Sequence, residues 1–206
     1  MRTTPPGPDT RGDARPESGT RGRTRRAILD AAAEVLARNR RATLADIAQA
    51  AEVGRSTLHR YFPDRDELVS AAVEDSLAHM AQALEEAAID QGPALDAMRR
   101  LATALVGAGD RLVFVFGDPH IFEQLPDEED DPTDRQVLAL IERGQAEGAF
   151  DPEADPVWIR GVLWALVYTG AEMAARGTMP RHVAAANTVR TLERGICAAG
   201  GGGTAQ

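Results

Sequence analysis

The stretch Val53–Leu68, VGRSTLHRYFPDRDEL, decides how this chain folds. Leu58 and Phe62 stand four residues apart and fall on one side of a short helix, Arg55–Tyr61. Arg55, Ser56, Thr57, His59 and Arg60 then cover the remaining arc. Pro63 ends the helix, because its ring lacks an N–H and restricts the residue before it. Asp64, with Glu67 three residues on, starts the next helix with a capping pair.

Working upstream, Thr43 caps a helix over Leu44–Ala51, with Asp46 as its capping-box partner. That helix buries Leu44, Ile47, Ala48 and Ala51. The break Glu52–Gly54 joins it to Arg55–Tyr61, and two short helices with so tight a turn form a helix-turn-helix. Packing alone does not require a basic, hydroxyl-bearing cluster on the second helix, whereas a surface that meets phosphates and base edges does. Such a helix can lie in the major groove of DNA. Arginine pairs with guanine, serine and threonine read more weakly, and a threonine methyl touches thymine. Thr43, Tyr61 and Arg65 are placed for phosphate contacts, as are the free N–H groups at the start of the fourth helix. A plain solvated face carries the same residue types, so that alternative stays open here.

The first helix spans Thr24–Arg38, with Ile28, Ala32, Val35 and Leu36 at helical spacing, and Asn39 is expected to close it in the left-handed conformation. The fourth runs from Asp64 to about Ala88 through Leu68, Ala71, Ala72, Leu77, Met80 and Leu84. Beyond it the pattern predicts helices over Pro93–Val106, Asp134–Gly148, Asp155–Gly177 and His182–Ile196, with a short element at Asp110–Phe116. Asp155–Pro156 is a good helix start, and Gly148 and Gly177 read as stops. The one strand-like run, LVFVF at Leu112–Phe116, is short. The expected fold class is all-α: a three-helix N-terminal domain joined to a larger helical bundle. Residues 1–22, rich in Pro, Gly, Arg, Ser and Thr, read as a disordered arm, and residues 198–206 as a flexible tail.

Net charge is −9, which at first argues against a nucleic-acid partner. Its distribution reverses that. Residues 21–62 hold nine arginines against four acids, a surplus of five, while residues 71–206 hold ten arginines against 22 acids, a deficit of 12. There is no lysine at all, which is best explained by coding bias. The single cysteine, Cys197, cannot form an internal disulfide, the N-terminus lacks the apolar core of a signal peptide, and the apolar run Gly161–Ala171 is too short to span a bilayer. A cytoplasmic chain with no membrane partner is therefore expected. Asp127–Asp131 lacks the glycine and alternation of a calcium loop, and His59, His79, His120 and His182 show no ligand spacing. No metal, cofactor or catalytic residue is expected.

The segment TRRAILDAAAEVLA…ATLADIAQAAEVGRSTLHRYFPDRDELV, residues 24–69, resembles the N-terminal domain of the TetR family of transcriptional regulators. The resemblance implies a DNA-binding domain over residues 23–69 and an effector-binding and dimerisation domain over residues 70–197. It further implies a homodimer on a double-stranded DNA operator and, usually, repression relieved by a small-molecule effector. Three departures stand out. The family usually has glycine where this chain has Glu52, so a strained or differently shaped turn is expected. It commonly has a phosphate-contacting tyrosine at His59, whose replacement makes that contact pH-dependent near neutrality, and lysine at Arg65.

In the body, Val157–Gly170 is apolar around its whole circumference, so the helix must be covered on both sides. Gly161, Ala165 and Gly170 permit close approach of a partner subunit, and Ala185, Val189, Leu192 and Ile196 offer a second apolar stripe for a four-helix dimer interface. A purely internal core is the competing explanation. Among the aromatics Phe114, Phe116, Phe122, Phe150, Trp158, Trp164 and Tyr168, a cavity wall is the sharper reading for Phe116, Phe122, Trp164 and Tyr168, with His120, Glu123 and Glu172 as polar anchors. The acidic body favours a cationic or neutral aromatic ligand over an anion. Two further functions compete with a ligand-responsive regulator: a helical sensor or adaptor with a protein partner and weak or lost DNA binding, and an enzyme built from residues far apart in sequence.

Overall fold

The computed structural model describes residues 19–123 and 132–197. They form ten helices: α1 Gly19–Arg38, α2 Leu44–Ala50, α3 Arg55–Tyr61, α4 Arg65–Ala87, α5 Ala94–Ala108, α6 Asp110–Phe116, α7 Pro119–Phe122, α8 Pro132–Ala146, α9 Pro156–Ala175 and α10 Arg181–Ile196. The described residues contain no strand, only one bridge between Phe150 and Cys197. The LVFVF run is helical, as an all-α fold requires, and buries Leu112, Val113, Phe114 and Val115. No helix among the described residues is long and apolar enough to cross a membrane. The acidic stretch Asp127–Asp131 and the tail from residue 198 onward lie outside the described residues.

Sequence and structure differ at several places. Helix α1 begins at Gly19, inside the stretch read as an arm, whose residues 1–18 lie outside the described part. Asn39 does not adopt the left-handed conformation, since only Glu52 and Ala88 do so among described non-glycine residues. Its Oδ1 instead accepts the Arg41 N–H at 3.1 Å, a local turn of the kind that asparagine favours.

Helix α1 is alanine-rich and buries Ile28, Leu29, Ala31, Ala32, Ala33 and Leu36, and these small side chains let α4 and α6 pack close around it. Helix α4 belongs to both halves of the molecule. It starts at the Asp64 cap, whose carboxylate accepts the Glu67 N–H at 2.8 Å. At its other end Ala88 turns left-handed, and two arginines from the body take the carbonyls of the helix end and of the turn that follows it. Arg100 of α5 donates to the Ala87, Ala88 and Gln91 carbonyls, and Arg143 of α8 to those of Ile89 and Asp90. Helix ends leave such carbonyls without partners, so these contacts pin the C-terminal end of α4.

In the body, α9 and α10 lie side by side, and Gly170 sits where a Cβ would strike the Thr188 hydroxyl at 2.4 Å. Gly170 therefore serves this internal packing and not a partner. Ala185, Leu192 and Ile196 are likewise buried in the chain's own core, which leaves only Val189 of that stripe half-buried. The uncovered apolar surface lies on α9 instead: Trp158 is 68% exposed, and Val157 and Met173 are exposed with it. Trp158 is thus no core residue. Gly161, also exposed, has open space around its Cα.

Candidate nucleic-acid interface

The reading unit is built from contacts a few residues apart. The Asp46 carboxylate accepts the Thr43 N–H at 2.7 Å and the Thr43 hydroxyl at 2.8 Å, while the Asp46 N–H donates back to that hydroxyl at 3.3 Å. The Thr43 N–H, then its hydroxyl and more weakly the Arg55 charge, hold the Asp46 carboxyl below its ordinary range, with slight burial opposing. At the turn Glu52 has φ of 55°, the left-handed conformation that glycine adopts freely. The turn keeps its shape and strains the residue. The Val53 N–H then donates to the Ala48 carbonyl at 2.9 Å and carries the chain into α3.

Leu58 and Phe62 are 1% and 2% exposed and anchor α3 as their spacing predicts. Arg55, Ser56, His59 and Arg60 are exposed, and Thr57 and Tyr61 are half-buried. A concavity of about 190 Å³ between α2 and α3 is lined by Thr43, Leu44, Ala45, Arg55, Leu58 and His59. A broader one of about 530 Å³, lined by Arg40, Arg41 and Arg65 among others, adjoins it. Arg65 is already engaged: its guanidinium donates to the Ala42 carbonyl, and to that of Arg40 at 2.7 Å, which ties the α1–α2 turn to the start of α4. His59 Nδ1 donates to the Pro63 carbonyl at 3.3 Å. The Arg21 and Arg60 guanidiniums each lie 5.8 Å from the centroid of the Tyr61 ring, and that of Arg25 lies 5.6 Å from the Phe62 ring.

The aromatic corner of the body forms in part. Phe116 of α6 meets Trp164 of α9 at 6.2 Å between ring centroids. Tyr168, one turn along α9, brings its hydroxyl to Gly117, where a Cβ would lie 2.9 Å from it. The Glu172 carboxylate is taken by Arg176 at 2.8 Å, and His120 and Glu123 are exposed. The Phe122 side chain lies outside the described residues.

Two contacts here escape sequence reasoning. The Arg40 guanidinium, from the α1–α2 turn, reaches within 3.0 Å of that same Gly117 Cβ position, so the reading unit touches the aromatic corner. Arg111 of α6, 9% exposed, donates to Asp75 of α4 at 2.5 Å and also to Asp30 of α1. It bridges both helices that support α2 and α3. The only signal in the sequence is a cation at the edge of the apolar run Leu112–Phe116.

The model of bacterial regulatory proteins of the tetR family matches residues 28–72. The transcriptional repressor LfrR of Mycolicibacterium smegmatis is 41% identical over 184 residues, which cover 87% of this chain and 94% of LfrR. The chain belongs to the TetR family. It is a TetR-family DNA-binding transcriptional regulator, and its likeness to LfrR extends through the body as well as the helix-turn-helix. The crystal structure of LfrR from Mycobacterium smegmatis superposes with a TM-score of 0.68 at 36% identity, covering 87% of this chain and 99% of LfrR. LfrR in complex with proflavine superposes with a TM-score of 0.64 at 37% identity, covering 84% and 97%.

Proposed function

We propose that this TetR-family chain is a repressor that holds a near-palindromic operator as a symmetric homodimer and releases it when a cationic aromatic effector enters the body. The observation that carries this reading is α3, which turns Arg55, Ser56, His59 and Arg60 outward from a helix anchored by Leu58 and Phe62. In this reading residues 23–69 are the DNA-binding domain and residues 70–197 bind effector and partner subunit. Arg55, Ser56 and Thr57 meet base edges, with His59 and Arg60 beside them, while Thr43, Tyr61 and Arg65 meet phosphates. Dimer symmetry sets the two α3 helices ~34–36 Å apart. The exposed Trp158, Val157 and Met173, with the open Gly161 between them, favour α9 as the partner face.

The effector class follows from charge and aromatic placement. Phe116, Trp164 and Tyr168 are half-buried rings close to one another, and aromatic rings attract a planar cation, in a body that carries a deficit of positive charge. Phe122, His120 and Glu172 flank that corner in sequence and complete the proposed pocket. LfrR has been solved with proflavine, a ligand of that class.

Retention of a mixed-sequence duplex at low salt tests the DNA half, and its absence would sink the reading. Proflavine is the probe for the effector half. Because a planar cation also intercalates into duplex, its affinity is measured first on the protein alone, through tryptophan fluorescence. Its affinity is then compared with and without saturating duplex. Coupling must be reciprocal and is typically ~1–3 kcal/mol, so DNA should weaken proflavine binding by the same factor by which proflavine weakens DNA binding. Equal affinities in the two states would remove proflavine-like cations as inducers.

A further inference from the structure

The first turns of α1 lie outside the helix-turn-helix, and outside the residues that match the family model, yet they touch its reading helix. Arg21, Arg23, Arg25 and Arg26 place four charges within six residues, and the first turn of α1 carries no acid. Among the described residues none of these four guanidiniums, nor that of Arg60, pairs with a carboxylate. Arg21 and Arg60 are brought to one ring, that of Tyr61, each 5.8 Å from its centroid. Like charges so placed repel each other, and a helix N-terminus disfavours cations further. Contact with the ring favours each guanidinium, but in the free chain their like charges are left without a carboxylate among the described residues, and an anion would supply the missing charge. A guanidinium fork and a phenol hydroxyl each suit a phosphodiester oxygen, and contact with the ring restrains each fork near Tyr61.

We propose that Arg21, Arg60 and the Tyr61 hydroxyl form a seat for one DNA backbone phosphate, so that the start of α1 extends the operator footprint beyond the helix-turn-helix. The seat rests on the DNA-binding reading above. It adds affinity without sequence preference, because backbone phosphates carry no base identity.

The test uses the full chain, one duplex enriched by the wild-type protein from a random pool, and the unselected pool itself. Binding is followed by fluorescence anisotropy from 50 to 200 mM salt. Loss of one phosphate contact per subunit, two per dimer, lowers the slope of log affinity against log salt by about 1.8, equivalent to roughly sixtyfold at 0.1 M salt. Arg21→Ala should show that change equally on both duplexes. Arg21→Lys should recover much of the slope, because the charge remains. Arg190→Ala, exposed on α10, should leave it unchanged. If Arg21 serves only to staple α1 to Tyr61, the alanine variant will melt earlier and keep the wild-type slope, and the seat is refuted. A slope lowered on the enriched duplex alone would also refute it, by revealing a base contact. Wild-type protein that binds neither duplex would overturn the DNA-binding reading together with the seat.

Discussion

The arginines of the reading unit and those of the body live under different regimes. In the body, Arg99, Arg111, Arg143, Arg160, Arg176 and Arg181 meet carboxylates and Arg100 is spent on backbone carbonyls, while Arg135, Arg190 and Arg194 have no carboxylate among the described residues. In the reading unit only Arg38 meets one, while Arg21, Arg23, Arg25, Arg26, Arg40, Arg41, Arg55 and Arg60 have no carboxylate among the described residues. An acidic chain had carboxylates to spare for them. Guanidiniums without a carboxylate are thus concentrated in the reading unit, and net charge alone conceals this.

That contrast can be broken by exchanging the consequences of a substitution between the two regimes. The largest effect should come from Arg111→Met, which leaves Asp30 and Asp75 without their shared cation. Removing one partner of a buried pair is strongly destabilising, and with Asp30 half exposed about 2–3 kcal/mol is expected. Thermal denaturation should then fall by roughly 4–12 °C for a chain of this size. A melting point within a degree of wild type would show that Arg111 is as free as the reading-unit arginines.

Arg55→Ala should behave in the opposite way, with little change in melting and a loss of about 2 kcal/mol in discrimination between enriched and random duplex. Competition anisotropy measures it, and an equal loss on both duplexes would reassign Arg55 to phosphate. A smaller effect concerns the turn between α2 and α3. Glu52→Gly should stabilise the fold by about 1 kcal/mol, because a side chain at positive φ carries a steric cost that glycine lacks. Urea unfolding checks the sign.

The smallest effect is in pH. Hydrogen bonds from Thr43 depress the Asp46 pKa, so the capping box contributes stability at neutral pH, above the ordinary carboxylate range, and loses it as pH falls through the depressed value. The difference in melting between wild type and Asp46→Asn should therefore narrow on acidification. A constant difference would detach the cap from that carboxylate.

The reading unit was legible because its determinants are local. A capping box spans four residues, the Leu58–Phe62 pair one helical turn, and Glu52 reveals itself by standing where the family has glycine. The body was legible in its helices but not in their partners. Periodicity identified the apolar side of α10 but could not say whether the chain or its twin covers it, and the chain itself covers Ala185, Leu192 and Ile196. Composition marked residues 19–22 as arm-like, yet contact with Tyr61, forty residues on, accompanies their helical state. The meeting of Arg40 with Gly117 and Tyr168 joins three distant segments, and nothing local announces it.

The pinned end of α4 gives the molecule mechanical gain. Over 23 residues the helix is about 34 Å long, with one end gripped by Arg100 and Arg143 and the other carrying Arg65 beside the reading helices. Arg111 holds it at Asp75, roughly midway along. A shift imposed there and pivoting about the fixed end arrives at Arg65 nearly doubled, and a rotation of one degree displaces that end by roughly 0.6 Å. In a two-fold dimer the displacements of the two subunits add. In the dimer proposed above, a movement at α6 smaller than the width of an atom would thus reach the spacing between two half-sites enlarged.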